Sequence, residues 1–537
     1  MVVTELSSSL DGLFQVMYLI IGLVLIYIMI HTFRFIRIYL KYKHIPGYVS
    51  FFPSIIDSLM HGDPMFVYYG YLCSMQAFTK HPNAAMIKVQ QGSEIFFTIA
   101  RDKEMIKDVL VRKYKSIGKG ELLAPVGLFG ANLFSADSNN PLWKKHRTLA
   151  NPVFSNSSHL RNVFRVTMEE LAKMIPYWTK YNDSDSNGNI RNVNTTQELK
   201  SITLSIINRV AFDFNIEIFD KNPEHRDEVH GWISDLLVGL LYKFVFPEWL
   251  FEYVPFGIFK RFKDAKNRFR ETAMKMILKK TKEYENDNQV KEDEDLLSLL
   301  LKSSNNGKLT EEERLTNDEL VSAIFIIFFA GFETSSNSLN FMLRLLATRP
   351  EIQEKLIEEI DNEIPSMDSI KFEDVTEKLP YLTSFIKEAF RAKPIVGDTT
   401  RIITKKGGET IGGQILEEGT VVNVGIYAHH KLSHNNAMDD FKFDRFCIPN
   451  NIEKGTMGNL SIDFQKEDLI TFSIGPRDCI GRRMALIEIK LILVYLLKQY
   501  RIKVPEHLKE QQSNIKETYI ITRTVLEPFI FDYEKRV

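Results

Sequence analysis

The residue most able to do chemistry in this sequence is Cys479. It stands in residues 472–485, FSIGPRDCIGRRMA. Gly475, Pro476 and Gly481 punctuate a tight loop, and an amphipathic run over 481–500 follows at once. A thiol just ahead of a helix N-terminus meets unpaired amides and the positive end of the macrodipole, which stabilise a thiolate. Arg477, two residues away, adds positive charge, and glycines let a flat cofactor approach the backbone closely. No histidine or second cysteine lies beside it at ligand spacing. A metal held by this one thiolate must take its other ligands from a cofactor, as haem iron takes four nitrogens from its porphyrin. A lone cysteine is more often a small buried apolar residue than a ligand. Yet the pattern F-x-x-G-x-R-x-C-x-G arises by chance only on the order of once per few million windows.

The loop resembles the haem-ligand signature of the cytochrome P-450 superfamily at Phe472, Gly475, Arg477, Cys479, Gly481 and Ala485. That superfamily is itself the standing example of thiolate-ligated haem. The resemblance covers the roughly 490 residues from 48 to 537, with the motifs in the family's order. It implies haem b (iron protoporphyrin IX), Cys479 as the iron ligand, and Phe472 and Arg477 against the cofactor. Haem carries two propionates, whose burial requires cationic partners. Trp143-Lys-Lys-His-Arg147 resembles the family's W-x-x-x-R helix, and its i,i+4 spacing puts indole and guanidinium on one side. The resemblance assigns Trp143, Arg147, Arg401 and Arg477 to the propionates. Each alone is more often a solvated side chain. Glu388-Ala-Phe-Arg391 is by spacing an ordinary helix-surface pair. The resemblance instead implies a buried pair locked to Arg445 in FKFDRF, where Phe443 replaces the family's usual proline.

These residues need a scaffold. Thr316-Asn-Asp-Glu319 is a capping box, and the run from Leu320 ends before Pro350, predicting a helix of about 30 residues and roughly 50 Å. Its first half, LVSAIFIIFFAGF, is apolar all round and should pass through the middle of the fold. Only about 13 apolar residues separate Glu319 from Glu333, too few for a membrane span. Gly331 costs about 1 kcal/mol in a helix interior and asks for a reason. The resemblance supplies one: a widened turn where dioxygen sits, with Thr334 as its hydroxyl partner and Glu333 linking that hydroxyl to solvent protons. The plain alternative is a threonine bonded to its own helix backbone. Strand-like runs such as 420–427 are few and short. The expected fold class is mostly α with small β-sheets, the cytochrome P-450 fold, with haem between the long central helix and the cysteine-loop helix.

The 537 residues carry 68 Lys+Arg against 69 Asp+Glu, a formal net charge of −1. That balance argues against a nucleic-acid partner. Hydrophobic residues at 44% and charged residues at 26% exclude wholesale disorder. Cys73, Cys447 and Cys479 form no disulfide or zinc framework. Residues 13–33 hold no formal charge over about 30 Å of helix, enough to cross a bilayer core. Glu5 and Asp11 precede them; Arg34, Arg37, Lys41 and Lys43 follow. The positive-inside rule puts the C-terminal side in the cytosol. The expected organisation is a tail over 1–12, an anchor over 13–33, a basic flank and hinge over 34–47 ending at Ile45-Pro46-Gly47, and one catalytic domain over 48–537. The Asn-rich stretch 181–196 reads as a surface insertion, 283–313 as a partly mobile connector, and the aromatic segment 232–262 equally as core or as a membrane-dipping surface. The sequons at Asn156 and Asn194 are expected to stay in the cytosol without glycans.

The function this implies is a haem-thiolate monooxygenase placing one atom of O2 into a small apolar substrate. No flavin or nicotinamide motif accompanies the haem motifs, so electrons are expected from an NADPH–cytochrome reductase; Arg482, Arg483 and Lys490 could dock it, and a solvated helix face explains them equally well. The family places such members in the endoplasmic reticulum membrane, single-pass, with the catalytic domain in the cytosol. Three other readings stand beside it: a reductase-independent isomerase or dehydratase acting on peroxides, which Thr334 argues against; a non-catalytic haem sensor; and a thiolate hydrolase, which lacks a histidine beside its cysteine. Phe325, Phe328, Phe329 and Ile395 suggest an apolar substrate cavity.

Overall fold

Helices carry most of the chain, and the described residues add a six-stranded, a four-stranded and two two-stranded sheets. The structure, a computed structural model, describes residues 2–60, 67–120, 123–244, 246–286, 295–304, 310, 314–433, 441–447, 462, 464–519 and 522–536. The first helix, Val2–Lys41, runs well past both ends of the apolar stretch. No proline interrupts it before Pro46. Its Met17–Lys41 part is long and apolar enough to cross a membrane and is almost wholly uncovered.

The last turns of this helix are built into the body. Gln90 Nε2 donates to the Phe35 carbonyl at 2.9 Å, and Lys88 Nζ to the Tyr42 carbonyl at 2.6 Å. His31 and Phe35 both set their rings 5.3 Å from Phe51, and Tyr42 lies 5.1 Å from Phe97. Residues 34–47 thus join helix to sheet through packed contacts. The strand Gly47–Ser50 that follows is the edge of a six-stranded sheet. Its order is Gly47–Ser50, Met86–Gln91, Glu94–Ile99, Val421–Gly425, Asp398–Ile403, Ile117–Gly118. Gly47–Ser50 runs parallel to Met86–Gln91, as does Val421–Gly425 to Glu94–Ile99; the other pairs are antiparallel.

The stretch 181–196 is more ordered than its composition suggests. Asp183–Ser184 and Ile190–Asn194 pair with each other and, through Ile530–Lys535, with Tyr500–Lys503. Asp185 Oδ1 accepts from the amides of Asn187 and Asn189, closing the turn, while Ile190 and Val193 are fully buried. Two apolar residues spaced by three give no strand period, so the pairing was invisible in sequence. Asn156 and Asn194 serve as N-caps, accepting from the amides of Ser158 and Gln197.

The central helix, Asn317–Ala347, has the expected capping box: Glu319 N to Thr316 Oγ1 at 3.2 Å, and Thr316 N to Glu319 Oε2 at 2.7 Å. Two thirds of its apolar window is buried, so it is a core helix. Its main partner is the helix Thr195–Phe212. In its second half Ser335, Ser336, Asn337, Ser338 and Asn340 are all buried, giving a polar seam. Within 283–313, Leu296–Ser304 is a helix with four buried leucines; residues 287–294, 305–309 and 311–313 lie outside the described residues. Segment 232–262 divides its aromatics: Phe251 and Phe262 are core, whereas Trp249, Tyr253 and Phe256 are 56, 75 and 70% exposed.

Candidate active site

The cysteine loop is bent by left-handed backbone at Ser473 (φ +59°) and Gly475 (φ +81°). A Cβ at Gly475 would lie 2.5 Å from the Leu110 carbonyl oxygen, in the π-helical turn Asp108–Arg112. Only glycine permits both the angle and the approach. The Cys479 amide donates to the Phe472 carbonyl at 2.8 Å, and the Phe472 ring meets Phe390 edge-on at 5.5 Å. The helix Arg482–Gln499 then leads away from the thiol.

Cys479 keeps an uncovered face although protein surrounds it. A residue both reachable by solvent and fully desolvated by protein fits the wall of a cleft inside the body. Burial pushes its thiol pKa up, and the adjacent Asp478 carboxylate adds to this. The Gly481 amide, Arg482 and Arg147 pull the other way without prevailing. The helix N-terminus and nearby arginines thus favour the thiolate, as their charge requires, but desolvation outweighs them. A thiolate at this sulfur needs a cation bonded to it.

Cations gather around the cleft. Arg477 Nε donates to Ser138 Oγ at 2.9 Å, its η nitrogen reaches the Ala136 carbonyl, and its guanidinium lies 4.5 Å over the Trp143 ring. Arg401 is 2% exposed and, among the described residues, its hydrogen bonds go to neutral groups, Thr399 Oγ1 at 2.7 Å and the Thr400 carbonyl at 2.9 Å. Burial and the charge of Arg477 lower its pKa to about 9; burial, opposed by the Asp137 carboxylate and aided by Arg147, lowers that of Arg477 to about 10. Lys119, which no motif marked, completes the group. It is buried, its pKa is well below the ordinary lysine value because of desolvation and both arginines, and its Nζ lies 4.9 Å from the Phe134 ring. Asp398 is the buried acid facing it, held up at about 6 by desolvation.

Arg147 is differently engaged. It grips Asp478, through the carbonyl at 2.9 Å and through a carboxylate contact, beside the cysteine. The four residues assigned to the propionates thus meet in one region, with Arg147 pinning the loop itself.

On the central helix Ala330 is exposed and Gly331, Glu333 and Thr334 are half-exposed, although the helix runs through the core. Thr334 Oγ1 donates to the Ala330 carbonyl at 2.7 Å, the backbone bond of the plain alternative; its lone pairs stay open to another donor. The widened turn expected at Gly331 is not found, for the helix is regular over its length. The glycine has a packing reason: a Cβ there would lie 2.6 Å from Ile207 Cδ1. Although solvent reaches part of Glu333, desolvation by the surrounding protein raises its pKa; Lys200 and a bond from Thr522 Oγ1 at 3.2 Å oppose that shift. Phe325, Phe328 and Phe329, read from the sequence as cavity residues, are all buried. They pack with Phe129 and Phe269 in a closed aromatic cluster, with ring distances of 5.3–5.5 Å among Phe129, Phe269, Phe325 and Phe328.

Glu388 receives Arg391 at 2.7 and 2.8 Å, Arg445 Nε at 3.0 Å and the Lys442 amide at 2.9 Å. Phe443 fills the family's proline position, stacking by Tyr381 at 6.0 Å under the Lys355 ammonium. Lys490 is no surface residue: it is fully buried, donates to the Lys378 carbonyl and Thr383 Oγ1, and has its pKa lowered to about 7 by desolvation. Arg482 and Arg483 remain at the surface.

Among the described residues no group of three His, Cys, Asp or Glu side chains could hold a bare ion. One thiol beside buried cations short of anions is the donor set that a haem with two propionates requires. Sequence comparison agrees with the geometry. Residues 74–527 match the family described as Cytochrome P450. This chain belongs to the cytochrome P450 family. It is 29% identical over 438 residues to cytochrome P450 3A6 of Oryctolagus cuniculus, covering 78% of this chain and 79% of that protein. It is 29% identical over 437 residues to cytochrome P450 3A2 of Rattus norvegicus, covering 80% of each. A solved cytochrome P450DA heme domain shares the fold with a TM-score of 0.70 at 19% identity, covering 92% of this chain and 98% of that one. As a P450 the protein is an oxidoreductase, a haem-thiolate monooxygenase whose cofactor is haem b.

Proposed function

We propose that this P450 monooxygenates a small apolar substrate at a membrane surface, with Cys479 as the thiolate ligand of haem iron. The observation that carries the reading is the uncovered Cys479 sulfur, held in a glycine-bent loop beside Arg401, Arg477 and Lys119, whose charges lack enough carboxylate partners. When bound, haem supplies oxygen activation. The chain supplies binding, orientation, dryness and proton delivery. Arg401, Arg477, Lys119 and Trp143 hold the propionates, and Phe472 packs against the cofactor. Arg147 fixes the loop through Asp478. Thr334 keeps its proton on Ala330 O and presents lone pairs to an incoming donor, while Glu333 carries protons toward it. One oxygen atom leaves as water, consuming two electrons and two protons; the other enters the substrate.

The electrons come from an NADPH-dependent reductase with an acidic docking face. The exposed Arg483 and the half-exposed Arg482 at the start of the Cys479 helix support that partner. Helix Val2–Lys41 is the single membrane span, its basic end in the cytosol and the membrane that of the endoplasmic reticulum. The exposed Trp249, Tyr253 and Phe256 rest on the same bilayer, and residues 48–537 form one catalytic domain.

The test is reconstitution of the full chain in lipid with such a reductase, NADPH, labelled O2 and an apolar metabolite mixture. Products heavier by one labelled oxygen are expected, together with a thiolate-type ferrous–CO spectrum that Cys479→Ser abolishes. A globin-like CO spectrum of the wild-type protein would overturn the assignment.

A further inference from the structure

Glu333 does not end its hydrogen bonds on its own helix. Thr522, beside the terminal hairpin Glu517–Tyr519/Arg523–Val525, donates from Oγ1 to Glu333 Oε1 at 3.2 Å. The same Thr522 oxygen accepts from Asn337 Nδ2 at 3.1 Å. Thr524 Oγ1 in turn donates to Asn337 Oδ1 at 3.4 Å. Asn337 is 1% exposed and Thr522 3%.

The direction of this chain follows from the orientation of the Asn337 amide. An amide NH2 can only donate, and a hydroxyl has one proton. With Asn337 Oδ1 held by Thr524, its NH2 faces Thr522, so the single Thr522 proton must point away, toward Glu333. Glu333 Oε1 is therefore an acceptor in either protonation state. We propose that Thr522, oriented by Asn337, is a positioning residue that reserves Glu333 Oε1 as an acceptor, so that the proton Glu333 delivers is carried on Oε2.

This rests on the reading of Glu333 as the proton carrier. It adds a link to Ile395, which the sequence offers as a substrate-cavity residue, because the Arg523 amide beside Thr522 donates to the Ile395 carbonyl at 2.6 Å. A ligand that shifts the segment around Ile395 would shift the Thr522 hydroxyl, and with it the oxygen that holds the proton. The charged group bearing on Glu333 is Lys200 from the helix Thr195–Phe212. On the neighbouring turn Ser335 bonds instead to Glu488, at 2.9 Å.

The experiment is a pH titration of the carbonyl stretch of the ferrous–CO protein by infrared spectroscopy, which reads charge near the distal face without turnover. Wild type, Glu333→Gln, Thr522→Val and Thr522→Ser are compared, each checked for haem content and melting temperature. E333Q should lose the titration. T522V should move its midpoint upward by roughly one pH unit, since a donor that stabilised the carboxylate is gone, and T522S should restore the wild-type value. Peroxide released per NADPH should rise several-fold in T522V and return to baseline in T522S. If E333Q titrates like wild type, the reading of Glu333 itself fails. If E333Q loses the titration but T522V keeps the wild-type midpoint, or T522S does not restore it, the positioning role of Thr522 is refuted.

Discussion

Replacing Arg401 by methionine should act in opposite directions on the haem-free and the haem-loaded protein. Arg401 is 2% exposed and, among the described residues, its guanidinium meets only threonine oxygens and the repulsion of Arg477. Burial, then Arg477, takes its pKa from 12.5 to about 9. That drop corresponds to about 5 kcal/mol against the charged form as an upper bound. Relaxation and water entry bring the expected effect of removing the charge nearer 1–3 kcal/mol. Methionine keeps the stem and deletes the charge, so haem-free R401M should gain about that much stability at pH 7. A propionate beside the guanidinium reverses the balance. The haem-loaded variant should lose about 2 kcal/mol and release haem faster, because a buried carboxylate is then left without its partner. Urea unfolding of protein expressed with and without haem supply, followed by tryptophan fluorescence, reads both states, and transfer to apomyoglobin reads haem loss. If R401M destabilises both states alike, Arg401 is a structural cation satisfied by Thr399 and Thr400, and the propionate assignment falls with it.

Gly475→Ala should cost at least about 2 kcal/mol, from the left-handed φ and the overlap with the Leu110 carbonyl, and should lower haem content per purified chain. Glu488, fully buried against Ser335, has its pKa raised to about 8 by desolvation. The folded state keeps a proton that the unfolded chain releases near 4.5, so wild-type stability falls as pH rises from there to about 8. Glu488→Gln removes that slope, and its advantage over wild type should grow by about 2.7 kcal/mol between pH 6 and pH 9, read as melting temperature. Removing residues 1–30 should leave a folded, haem-loaded protein. Removal through residue 46 should lower its melting temperature sharply, because His31, Phe35 and Tyr42 then leave Phe51 and Phe97 uncovered. In the shorter truncation, Trp249→Ser with Phe256→Ser should weaken vesicle binding about tenfold in a sedimentation assay.

What could be read from sequence was whatever depended on neighbours along the chain. The capping box at Thr316 and Glu319, the stop before Pro350 and the Cys479 loop are local, and each stands where its residues put it. What escaped depends on partners far away in sequence. Lys119 lies in no motif, and its place in the cation group is set by Arg401 and Arg477, each hundreds of residues away. Lys490 looked solvated by its type, yet Lys378 and Thr383 take it inside. Gly331 invited a functional reason, whereas Ile207 on the facing helix supplies a steric one. The pairing of Ile190–Asn194 with Ile530–Lys535 spans most of the chain and leaves no period to detect.

The raised thiol pKa and the depressed arginine pKa values are two faces of one design. Burial disfavours the Cys479 thiolate, and it disfavours the protonated Lys119, Arg401 and Arg477 as well. Among the described residues neither penalty is fully relieved: Asp398 and Asp137 offset only part of the cation cost, Cys479 lies beside the carboxylate of Asp478, and Arg147 is already committed to that carboxylate. A ligand that brings a metal cation to the sulfur and two carboxylates to the cations relieves both at once. Its affinity therefore draws on strain already present in the folded protein, in addition to the new bonds. Removing either end should weaken the other: with Cys479→Ser, the propionate cations should hold haem less tightly than R401M does with its thiolate intact, and the double variant should lose less than the sum of the two.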